Sequence, residues 1–105
     1  MLPKPTDKKA LRAAYGDLFD AVSAILFRHD PVGINFDENT DEYDTEAGTI
    51  LPRLRQCTSA VGVRRAVHEE FIKWFDVETA GPEERYEAAA EDIWRAWQAA
   101  QSGTR

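Results

Sequence analysis

Apolar residues recur along this chain at alternating spacings of three and four. Leu11, Tyr15, Leu18, Val22, Ile25 and His29 form one such stripe, widened by Phe19 and Leu26. That spacing places them on one face of an amphipathic helix packed against a core. Thr6 is a suitable N-cap, and Asp7 complements the positive end of the dipole in the first turn. Gly16 interrupts the stripe as a weak point, or as a site of close helix contact. Pro31 disfavours helical geometry at Asp30, so the helix should end near His29.

Asp30-Pro31-Val32-Gly33 reads as a turn, with proline at the first corner and a glycine that tolerates positive φ. Ile34 and Phe36 then pin an extended loop to the core. A second helix should start near Thr40 or Asp41, where Asn39 and Glu42 have capping-box spacing. Tyr43, Ala47, Ile50, Leu54 and Cys57 make its buried stripe, with Leu51 alongside. Pro52 conflicts with that helix, and predicts a kink or a break into two short pieces. Thr58 and Ser59 can cap a third helix carrying Val63, Val67, Phe71 and Trp74. It should stop before Ala80-Gly81-Pro82. A fourth helix begins there, with Glu83 and Glu84 in its first turn and Tyr86, Ala90, Ile93, Trp97 and Ala100 on its inner face.

The fold expected is therefore all-α. About four amphipathic helices form one compact, bundle-like domain over residues 1–105, ordered from about 6 to 101, with an extended loop between helices 1 and 2. A chain of 105 residues with 43% hydrophobic and 30% charged residues suits one folded domain.

Charge narrows the functional classes. Nineteen acidic residues against 13 basic ones give a net charge of −6, which disfavours non-specific binding to nucleic acid. Two local basic patches remain, at Lys8, Lys9 and Arg12 and at Arg53, Arg55, Arg64 and Arg65, and each reads best as a solvated helix face. The single cysteine, Cys57, forms no intrachain disulfide and fits a reducing compartment. No apolar run follows the N-terminal charges, and no stretch reaches the roughly 18 residues of a membrane span. The location expected is cytoplasmic, without membrane association.

The segment from Asp37 to Glu46 holds six carboxylates, Asp37, Glu38, Asp41, Glu42, Asp44 and Glu46, and no base. Read as a calcium loop from Asp37, it has Glu42 at the glycine position and Gly48 at the terminal glutamate position, so that reading fails twice. Acids that favour a helix start and aid solubility are the plainer account. As a surface, the six would attract a basic protein partner. A divalent-cation site in residues 37–46 is a further alternative.

His29, Asp30 and Tyr43 would converge into a small-ligand cleft, or an enzyme site, if the loop folds back on helix 1. The plainer role for His29 is at the negative end of a helix dipole. His68-Glu69-Glu70 lacks the second histidine of a zinc-protease motif, since position 72 is Ile72. Cys57 lies on a buried stripe and reads as an inert thiol. No catalytic residue, metal ligand or cofactor site is assigned, and the balance leans against an enzyme. Trp74, Phe75, Trp94 and Trp97 read mainly as core, with any exposed ring a binding anchor.

Asp30-Pro31-Val32-Gly33 followed by Tyr43-Asp44-Thr45-Glu46 resembles the pattern of a small bacterial helical family of unknown function. In that family an Asp-Pro-x-Gly turn precedes a Tyr-(Asp/Glu)-x-Glu helix start. The likeness spans about residues 15 to 75. It implies a compact helical fold and a bacterial source, and no activity. Some similar small acidic bacterial proteins look like immunity proteins that neutralise a toxin, a resemblance that suits a non-enzymatic interaction module.

Overall fold

Helical periodicity dominates the chain because its apolar stripes bury only as helix faces, and helix is the regular structure among the described residues. A computed structural model describes residues 7–33 and 43–102. Among them lie six α-helices and no strand: α1 (Lys8–Tyr15), α2 (Asp17–His29), α3 (Asp44–Ile50), α4 (Ala60–Trp74), α5 (Val77–Ala80) and α6 (Glu87–Ser102). Two 3-10 segments, Leu51–Gln56 and Glu83–Tyr86, lead out of α3 and into α6. The all-α expectation holds, with six helices where four were expected.

The first stripe is divided between two helices. Gly16 has φ 60 and ψ −140, a conformation glycine tolerates best, and it ends α1 and caps α2. It is a break and not a close contact, because nothing lies within 4 Å of where its Cβ would be. Leu11 from α1 and Leu18, Phe19, Val22, Ile25 and Leu26 from α2 still reach one core. Asp7 caps α1, its carboxylate accepting from the Ala10 N–H at 3.0 Å. Thr6 lies outside the described residues.

Pro52 resolves as a break. The α-helix stops at Ile50, and the proline sits at the start of a tighter 3-10 segment that keeps Leu51 and Leu54 buried. The expected start of this helix, with Asn39, Thr40 and Glu42, falls outside the described residues, as does the loop of Ile34 and Phe36. Ser59 caps α4 by accepting from the Gly62 N–H at 3.3 Å. Asp76 caps α5 by accepting from the Thr79 N–H at 2.6 Å.

Helix α4 packs against α6, α2 packs against α6, and α3 bridges α2 and α4. The centre is aromatic. Phe71 lies 5.8 Å from Tyr43, 5.1 Å from Tyr86 and 5.7 Å from Phe75, measured between ring centroids. The Tyr86 hydroxyl donates to Ala80 O at 2.6 Å, and burial pushes its pKa up to about 12.

Candidate functional site

Two of the three residues expected to form a cleft, Asp30 and Tyr43, meet where α2 ends and α3 begins. Asp30 terminates α2 in the left-handed region, at φ 47 and ψ 58, with its N–H donating to Leu26 O at 2.8 Å. A non-glycine residue tolerates that conformation best when it is Asp or Asn. Its carboxylate accepts the Tyr43 hydroxyl at 2.7 Å. The Val32 N–H donates to the same hydroxyl at 3.4 Å. The Arg85 guanidinium donates to Pro31 O at 3.1 Å from the far side, so the turn is held from both ends of the chain.

Asp30 and Tyr43 thus come together, as the sequence suggested, and His29 does not join them. Its Nε2 lies 2.8 Å from Asp92 on α6. Arg28 also reaches Asp92, at 2.9 Å, and Arg95 contacts the other oxygen. The His29 hydrogen bond, with those of Arg28 and Arg95, holds the Asp92 carboxyl below its ordinary range. A lowered carboxyl pKa contributes stability above the unfolded-state value of about 4, and loses it as pH falls through the folded value. Urea midpoints should therefore fall less steeply with acidification in Asp92→Asn than in the parent. Parallel acid limbs in the two proteins would refute this role.

The acidic segment divides. Asp37, Glu38, Asp41 and Glu42 lie outside the described residues. Asp44 and Glu46 do not face solvent: they are 8% and 6% exposed. Helix α3 is short and packed on two sides, against α2 and α4, so residues off its apolar stripe are covered too. The hydroxyl of buried Ser23 donates to Asp44 Oδ1, and Lys8 Nζ lies 3.2 Å from Oδ2. One turn further along α1, Arg12 grips Asp20 through Nε and Nη2 at 3.0 to 3.2 Å, and stacks 5.4 Å over the Phe19 ring. Between α1, α2 and Asp44 lies a cleft of about 310 Å³, lined by Lys8, Arg12, Asp20, Ser23, Ala24, Phe27 and Asp44.

Sequence reasoning weighed Lys8 and Arg12 only as a basic patch, and passed over Ser23 and Asp20. Two signals were present. Lys8 and Arg12 are four apart and share a helix face. Ser23 is a hydroxyl on the buried side of α2, where a hydrogen-bond partner is required.

The remaining reactive groups have structural partners. His68 Nε2 bonds Gly81 O at 2.8 Å, and so donates. The Cys57 thiol donates to Arg53 O at 3.4 Å, and burial pushes its pKa up. Arg53 pairs with Glu69 and Glu70, and Arg64 with Glu83 and Glu87. Among the described residues, no three His, Cys, Asp or Glu side chains group as a metal site, and no helix is long and apolar enough to cross a membrane.

Trp74 departs from its expected core position. It is 40% exposed at the end of α4, and Val77, three residues on at the start of α5, is 68% exposed. The ring is fixed in place by its Nε1 donating to Thr49 Oγ1 at 3.1 Å. Val61 is also exposed, toward the other end of α4.

Comparison with known protein families, with curated proteins and with solved structures returns no match.

Proposed function

We propose that this chain is a non-enzymatic interaction module, immunity-like in kind, that docks a basic protein partner. The observation that carries the reading is the exposed corner of Trp74 and Val77. Tryptophan is a preferred anchor of protein interfaces, and a ring already fixed by Thr49 loses little freedom on docking. The net charge of −6 supplies the complementary half of the argument. Exposed Glu78 follows Val77 in sequence, and the chain's overall acidic charge, to which Asp37, Glu38, Asp41 and Glu42 contribute, would steer a basic partner inward. Asp44 and Glu46, being buried, are withdrawn from the contact surface first expected of all six acids.

His29, His68, Cys57 and Tyr43 each bond a neighbour that closes a turn or a helix contact.

Immobilised wild type should capture one basic protein from the source lysate, and raised salt should release it. Trp74→Ala should weaken that complex by about thirtyfold or more. Asp41→Lys with Glu42→Lys should mainly slow association. All variants are checked by circular dichroism. An acidic partner, or equal capture by wild type and Trp74→Ala, would overturn the proposal.

A further inference from the structure

The cleft between α1 and α2 is not used by the interaction reading, and its lining has a definite charge pattern. Lys8 and Arg12 form a cationic wall, one helical turn apart on α1. Asp20, Ser23 and Phe27 follow one another at helical spacing along the facing side of α2. Buried Asp44 and Ser23 make the floor. Two cations and two carboxylates leave the lining formally neutral.

We propose that this cleft binds a small zwitterion, an α-amino acid with a free ammonium and a free carboxylate. A simple anion drawn to Lys8 and Arg12 would meet Asp20 and Asp44. A simple cation drawn to those acids would meet the two bases. Only a ligand carrying both charges satisfies both sets. Its carboxylate lies against Arg12 and Lys8, where a guanidinium offers paired donors. Its ammonium lies against Asp20 and Asp44. Phe27 and Ala24 provide an apolar strip for an aliphatic or aromatic side chain.

The rearrangement this requires is small. Arg12 and Asp20 are each 53% exposed, so their mutual ion pair contributes little and exchanges readily for the ligand's charges. Asp44 and Ser23 stay in place. The volume of about 310 Å³ lies at the small end of ligand sites, and suits an amino acid better than a nucleotide.

The test is titration of the whole chain with glycine, L-alanine, L-leucine and L-phenylalanine, read by calorimetry and by amide chemical shifts of Ser23, Ala24 and Phe27. Leucinamide and N-acetyl-leucine, each lacking one charge, are the controls. At least one amino acid should bind saturably, L-leucine or L-phenylalanine most tightly. Each control should bind about tenfold or more weaker than leucine. Arg12→Ala and, independently, Asp20→Asn should weaken binding similarly while the chain stays folded. Absence of saturable binding by all four amino acids would overturn the proposal. So would controls that bind as well as leucine, or unchanged affinity in both variants. None of these outcomes depends on whether the Trp74 corner docks a protein.

Discussion

Phe71→Ala should destabilise the fold by about 3 to 5 kcal/mol, the range for removing a large buried aromatic side chain. Phe71 is 0% exposed and touches rings from three separate stretches of chain. Tyr43 opens α3, Tyr86 leads into α6, and Phe75 closes α4. Removing the central ring leaves a void that neither tyrosine can fill without leaving its own hydrogen bond. Tyr43 is held by Asp30, and Tyr86 by Ala80 O. The site therefore relaxes poorly, which places it toward the upper part of that range. Against a total of about 5 to 15 kcal/mol for a domain of this kind, this single change approaches complete unfolding. Urea denaturation measures it as a fall in midpoint at constant slope. Phe71→Leu keeps much of the volume and should cost under about 2 kcal/mol. A loss below about 1.5 kcal/mol for the alanine variant would show that the aromatic centre is not the core's keystone.

That centre was legible from spacing alone. Tyr43, Ala47, Ile50 and Leu54, then Val63, Val67 and Phe71, then Tyr86, Ala90 and Ile93 are buried, as the stripes required. The boundaries were less so, for physical reasons. A stripe continues across a helix break when both pieces face the same core, so Leu11 and Leu18 gave no sign that Gly16 divides them. Trp74 keeps helical register with Phe71, yet α4 ends there and the ring stays 40% exposed. The buried acids were hidden by a rule that usually holds: carboxylates at a helix start face water. Asp44 departs from it because Ser23 on α2 and Lys8 on α1 supply the partners. His29 closes α2 as its spacing required, but the grouping with Asp30 and Tyr43 fails because its ring turns instead to Asp92, 63 residues distant. Local pattern reports which face is buried. It does not report which polar group from another helix arrives to meet it.

Gly81→Ala is the second large effect expected, and it tests the same long-range tethering. Gly81 has φ 73 and ψ −167, a region open essentially to glycine alone. An added Cβ would also lie 2.5 to 2.8 Å from the guanidinium atoms of Arg85. That guanidinium donates to Thr79 O, Ala80 O and Pro31 O, so it cannot swing away without releasing them. Backbone strain of about 1 to 3 kcal/mol and lost hydrogen bonds of about 1 kcal/mol sum to about 2 to 4 kcal/mol. The two contributions separate in a cycle with Arg85→Ala. In that background the added methyl meets no guanidinium, and only strain remains, so the two changes should be less than additive. The tether itself has a local reading. Arg85 holds the Pro31 carbonyl, and the Gly33 N–H donates to Asp30 O across the same turn. Amide exchange at Gly33 should quicken in Gly81→Ala and in Arg85→Ala alike. Full additivity in stability, with Gly33 exchange unchanged, would mean that the turn beside Tyr43 stands without help from the C-terminal half of the chain.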